Sequence, residues 1–255
     1  MTISINNYEI FLLILVRITG FIYTAPFFSL KYVPMRVKTG LAIFLSAIIF
    51  FTLANQQLEY VGVIGYTILV VKEALAGAVM GLFANIAYYI VNFSGQILDM
   101  QIGFSMVNEL DPISNIQSTI TANFYGYLVL IVMMITNLHH YFLKAMVDSF
   151  QVIGVGKVNL NPQLYTIMSK FITDYFIIGF RIVLPVFAAI LVVDTILGIL
   201  AKIAPQLNMF VIGMQIKIFV GLIILILIIG FIPSVADLIF KEMVTMFQSS
   251  IELLH

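Results

Sequence analysis

Four ionisable residues stand inside stretches that are otherwise apolar: Arg17, Arg181, Asp194 and Lys217. A charge at the centre of a membrane costs on the order of 2.5–3.5 kcal/mol on insertion scales, so each must face protein or water and find a counter-charge. Two chemistries are open to such a set. Acidic and basic groups inside a membrane can relay protons, or they can form structural pairs that hold helices together in an assembly. Asp174 and Arg181 are seven positions apart, and Arg181 and Asp194 thirteen. Both spacings bring the pairs to similar faces of one helix, with Pro185 able to distort the register. Lys217 has a third option, because a long lysine can reach water from an apolar stretch. His139-His140 suggests a metal, but no HExxH, no carboxylate three or four residues on and no cysteine accompanies it. There is no GxSxG, no P-loop and no dinucleotide-binding glycine pattern. The chain is therefore read as not an enzyme, with no cofactor.

Two further features concern shape. Gly77 and Gly81 form a GxxxG, and Ala74 and Ala78 add a small pair on the neighbouring face. Such faces let two helix backbones approach closely, whether the partner lies in the same chain or in another subunit. Residues 92–119, NFSGQILDMQIGFSMVNELDPISNIQST, form the longest stretch unsuited to a membrane span. A turn is expected at Asp111-Pro112, since proline disfavours helix in the residue before it. Irregular backbone at membrane depth persists only where it is buried in protein or lines water. The segment is either a solvated external loop or a constriction folded into a conduit. Methionine suits a deformable seal, because its side chain is flexible.

These residues need elements to hold them. Of 255 residues, 62% are hydrophobic and 9% charged, and the mean hydropathy is +1.12. A soluble domain of this length could not bury that much apolar surface, and disorder is excluded for the same reason. A span needs about 20 mostly apolar residues. About six such segments run over 8–28, 39–54, 61–93, 120–138, 171–200 and 209–232. All are expected to be helical, because lipid satisfies no backbone hydrogen bonds. The predicted fold is thus an all-α, polytopic membrane-type protein, some of its segments kinked or hairpin-forming. One domain over 1–255 is expected, since no linker or internal repeat is visible. Residues 234–255 read as an amphipathic helix: Asp237, Lys241, Thr245, Gln248 and Glu252 mark one face, and Val235, Ile239, Met243, Phe247, Ile251 and Leu254 the other. Such a helix either packs on its own chain, lies at an interface or binds a partner.

Charge excludes other classes. Twelve basic residues balance twelve acidic ones, so no basic surface for nucleic acid is expected. Without cysteine there is neither a disulfide nor a thiolate site. Residues 1–7 carry no Lys or Arg, which argues against a cleaved leader. Lys31, Arg36 and Lys38 mark the first link as cytoplasmic, yet positions 73–143 contain no Lys or Arg at all. Either the long third segment is a hairpin, or the chain does not lie in lipid as a simple serpentine.

A series of short motifs runs in order along the chain. It begins with Arg17, then Pro26-Phe27-Phe28, then Val33-Pro34-x-Arg36-Val37-Lys38. It continues in Gly95-x-x-x-Asp99-x-Gln101-x-Gly103-Phe104-Ser105-Met106 with Asp111-Pro112, in His139-His140 and in Ser149-Phe150. It ends in Gly198-Ile199-Leu200, Ala204-Pro205-Gln206-Leu207-Asn208, Gly213, Lys217 and Gly221. Taken together these motifs resemble the flagellar FliR family of type III export-gate proteins, and are similar to the equivalent virulence-system export-apparatus proteins. One departure is Gln151-Val152-Ile153-Gly154, where the family leads one to expect a proline before the glycine.

The resemblance implies a subunit of the flagellar export gate at the bacterial inner (cytoplasmic) membrane, in the flagellar basal body. It implies FliP-like and FliQ-like partners in a helical pore complex, FlhB-like and FlhA-like associates, and unfolded flagellar proteins as cargo. It also implies a pore-closing loop over residues 101–119, with Gln101, Gly103, Phe104, Ser105, Met106, Asn108, Asp111 and Pro112 as plug residues. Arg17, Arg181, Asp194 and Lys217 are then expected to serve assembly, and Gly77 and Gly81 helix packing. The alternative is a self-sufficient transporter or ion channel for a small solute, which should show repeat-related broken helices around a midplane site.

Overall fold

In a computed structural model, residues 5–30, 32–53, 58–105 and 119–255 are described. The elements are α1 (Ile5–Thr24), α2 (Met35–Thr52), α3 (Gly62–Ile102), α4 (Ile120–Ile135), α5 (Leu138–Val152), α6 (Gln163–Ile203), α7 (Met209–Ile228), a 3₁₀ turn (Ile229–Phe231) and α8 (Ile232–Leu254). The described residues contain no strand. Five stretches are long and apolar enough to cross a membrane, or six if α4 and α5 form one broken span. The all-α polytopic class and the segment count follow the hydropathy pattern.

The lengths differ from the expected segments. α3 is one helix of 41 residues that runs through Lys72-Glu73, so the third segment is not a hairpin. α6, also 41 residues, continues through Pro185 rather than breaking there. At 1.5 Å per residue each is about 60 Å long, roughly twice a hydrocarbon core of about 30 Å. The polar segment is also shorter than its composition suggests, because residues 92–102 belong to α3. Helix is tolerated there because Ser94 and Asp99 are buried with hydrogen-bond partners.

The chain divides into two compact units. One comprises Met1–Tyr88, Thr136–Ile172 and Phe240–His255, the other Tyr89–Ile135 and Thr173–Ile239. Three of the four crossings fall inside helices α3, α6 and α8, so no linker composition marks them.

In the first unit, α8 packs its apolar face inward. Met243 and Phe247 are fully buried. Phe247 lies edge-on to Phe21 at 5.8 Å and to Phe142 at 5.6 Å. The Asn159 N–H donates to the Leu254 carbonyl at 3.0 Å, tying down the end of the helix. Lys241, Thr245, Gln248 and Glu252 point outward, so the second half of α8 is a packing helix of its own chain.

In the second unit, Leu98 and Ile102 of α3 bury against Val183, Val186 and Ile190 of α6. The Tyr125 hydroxyl donates to the Leu225 carbonyl at 3.2 Å, which gives that phenol a partner in apolar surroundings. α7 is far from buried: Phe219 and Ile226 are each 66% exposed. A soluble protein does not leave such a face to water.

Candidate functional site

The first unit centres on Arg17, which α1 places in a fully buried position. Its Nε donates to Glu73 Oε2, and its Nη2 to Glu73 Oε1 at 2.9 Å. Nη1 donates to the Ile153 carbonyl at 2.9 Å and Nη2 to the Gly154 carbonyl at 3.3 Å. The guanidinium also lies 4.2 Å from the Phe150 ring centroid. Glu73 Oε1 accepts the Gly156 N–H at 2.7 Å. Thus α1, α3 and the turn after α5 meet at one ion pair with its hydrogen bonds satisfied. A buried pair of this kind is weak as net stabilisation but costly to break, because a lone buried charge is left behind.

The turn is shaped to reach it. Gly156 adopts φ 77°, which favours glycine. The Ile153 N–H donates to the Ser149 carbonyl at 2.8 Å. A proline at 153 would delete that donor.

Glycines permit the contact. A Cβ on Gly77 would overlap the Arg17 carbonyl oxygen, and one on Gly81 would come 2.8 Å from the Ala25 nitrogen. From the other helix, a Cβ on Gly20 would come 2.8 Å from the Ala74 carbonyl oxygen. The GxxxG face therefore packs within the chain, against α1.

In the second unit, Lys217 of α7 pairs with Asp194 of α6 at 2.6 Å. The pair is partly exposed, with side chains 29% and 39% accessible. This replaces the expected pairing of Arg181 with Asp174 or Asp194. Arg181 is exposed, not buried, and makes no ion pair among the described residues. The reason is helical geometry. Thirteen residues turn α6 by about 220°, so Arg181 and Asp194 lie on nearly opposite faces rather than the shared face expected, and Asp174 is two turns, about 10 Å, from Arg181. The link between α6 and α7 instead brings Lys217 to Asp194.

Of the expected plug residues, Gln101 lies in the last turn of α3 and is half-buried. Gly103 ends the helix with φ 99°, its N–H donating to the Asp99 carbonyl at 3.0 Å. Phe104 packs partly buried against the Leu98 and Ile102 core, and Ser105 is half-buried. Met106, Asn108, Asp111 and Pro112 lie outside the described residues. The rings of His139 and His140 lie with centroids 4.1 Å apart, tilted by 41°. Among the described residues, no group of three or more His, Asp or Glu side chains is placed to hold a metal.

Glu73 and Gly20 carry no role in the sequence reading, and Asp99 appears there only as part of a motif. Glu73 was legible in principle. It precedes Gly77 by four positions, hence on the same face of α3, and Arg17 needs an anion on whichever helix it meets.

Fold and site together define a polytopic helical membrane-type protein in which the Arg17–Glu73 pair joins α1 to α3 and the Lys217–Asp194 pair joins α7 to α6. Residues 8–243 match the model of bacterial export proteins, family 1. The chain belongs to that family. It is 36% identical over 225 residues to the flagellar biosynthetic protein FliR of Bacillus subtilis (strain 168), covering 87% of this chain and 86% of the relative. It is 28% identical over 228 residues to the FliR of Escherichia coli (strain K12), covering 89% and 87%. It is 28% identical over 255 residues to the FliR of Buchnera aphidicola subsp. Schizaphis graminum (strain Sg), covering 98% and 97%.

Proposed function

We propose that this chain is a subunit of the flagellar type III protein export gate and builds part of the wall of its pore. The observation that carries the reading is the family match over residues 8–243, together with end-to-end similarity to FliR proteins. The fold supports it. Apolar helices about 60 Å long, with α7 largely uncovered, find matching surroundings against other helical subunits. FliP-like and FliQ-like chains are the proposed neighbours, with FlhB-like and FlhA-like proteins associated at the bacterial inner membrane.

The segment over residues 101–119 is proposed to close the pore at rest. A passage wide enough for an unfolded polypeptide leaks ions and protons if it stands open. A stretch of small, amide and methionine residues fills it without demanding one cargo sequence.

Removing part of 106–118 in the assembled gate tests this. Ion leakage across the membrane is expected to rise while the gate still assembles. Unchanged leakage with normal export would sink the plug. Loss of the whole chain should stop secretion of flagellar proteins, and continued secretion would remove the gate assignment itself. Purification separates the transporter reading: a transporter chain alone is monodisperse and binds a solute, whereas a gate subunit depends on its neighbours for stability.

A further inference from the structure

The end of α3 and the start of α4 converge on one carboxylate. Asp99 is fully buried, three residues before α3 ends. Its two oxygens accept the Thr121 N–H at 3.2 and 3.0 Å. The hydroxyls of Thr119 and Thr121, buried and otherwise without hydrogen-bond partners, face the same group, as does the Ala122 N–H. Asp99 makes no ion pair among the described residues, and positions 73–143 contain no Lys or Arg. The acceptors sit at the first turn of α4, whose free N–H groups need such partners. The cap of α4 is thus supplied by a different helix.

Close packing fixes the same point from two sides. One turn before Asp99, a Cβ on Gly95 would come 2.6 Å from the Ala122 Cβ. Three residues after Asp99, Ile102 lies where a Cβ on Gly221 of α7 would come within 2.7 Å of its Cγ2.

We propose that Asp99 is a positioning residue that clamps the start of α4 to the end of α3, and so fixes the backbone at residues 103–105 and at residues 119–121 relative to each other. Its link to export rests on the plug reading; the clamp itself does not.

The chain has no cysteine, so a single introduced thiol reports on it. In membrane vesicles carrying the assembled gate, maleimide modification of Ser105→Cys is followed, with Ala76→Cys as a buried control in the first unit. Adding Asp99→Ala is expected to raise the Ser105→Cys rate at least five-fold and leave Ala76→Cys protected. Asp99→Asn keeps a carbonyl acceptor for the Thr121 N–H, and is expected to stay within about two-fold of the parent. An unchanged rate in Asp99→Ala overturns the clamp. Parallel exposure of Ala76→Cys also overturns it, by showing general unfolding, and so does Asp99→Asn behaving as Asp99→Ala. Leakage measured on the same vesicles separates the two readings. Faster Ser105→Cys modification without leakage keeps the clamp and removes the plug. Leakage on shortening 106–118, with Ser105→Cys unmoved by Asp99→Ala, keeps the plug and removes the clamp.

Discussion

Gly77 lies against the backbone of Arg17 so closely that a single added methyl group would overlap the Arg17 carbonyl oxygen and come within 3.0 Å of the Phe21 nitrogen. One helical turn earlier on the same face, Glu73 receives the Arg17 guanidinium. The two features depend on each other. The missing side chain sets the spacing of α1 and α3, and that spacing lets a short acidic side chain meet an arginine inside the unit.

Gly77→Ala is therefore expected to destabilise the chain, although alanine is the better helix former by about 0.5–1 kcal/mol. Overpacking costs about 1–3 kcal/mol and wins. Gly40 of α2 has nothing within 4 Å of where its Cβ would be, so Gly40→Ala should be neutral or stabilising. Thermal unfolding midpoints of the solubilised protein decide between them. A Gly77→Ala midpoint at or above the parent would refute the close-packing account.

Arg17→Ala is expected to cost about 3–5 kcal/mol, since it strands the Glu73 carboxylate in a buried site. Arg17→Lys should fail to rescue. A lysine ammonium cannot grip both oxygens of Glu73 and still donate to the Ile153 and Gly154 carbonyls in one plane. The readout is recovery of the intact complex from membranes. Normal recovery with lost export would favour a proton-relay role for Arg17 instead.

The Asp194–Lys217 pair is more exposed and should matter less. Neutralising either residue is expected to cost about 1 kcal/mol or less. The exchange Asp194→Lys with Lys217→Asp should restore most of what either single exchange loses. Complex recovery from membranes measures this. If the double exchange recovers no better than the singles, the pair is not what these charges contribute.

Asn137 separates α4 from α5 with φ 59°, a left-handed conformation. Asn137→Gly should be tolerated, whereas Asn137→Val should cost about 1–2 kcal/mol, because a branched side chain collides with the backbone there. Equal unfolding midpoints for the two variants would show that the break does not depend on this residue's backbone.

The class of this protein is legible from its residues alone. Composition, segment length and the cost of bare backbone in lipid leave only helices, and the ordered motifs carry the family likeness. The sequence also marks Arg17 and Gly77 as residues needing close partners, because a buried charge and a small-residue face are recognisable one at a time. The identity of those partners emerges from the fold. Glu73 and the Arg17 backbone belong to other parts of the chain, and hydropathy carries no information about which helix meets which. The same holds for Lys217, which reaches Asp194 through the α6–α7 connection, and for Asp99, whose role as a cap appears only once α4 begins beside it. Local chemistry is written along the chain. Partner choice depends on distances between residues far apart in sequence, which packing alone sets.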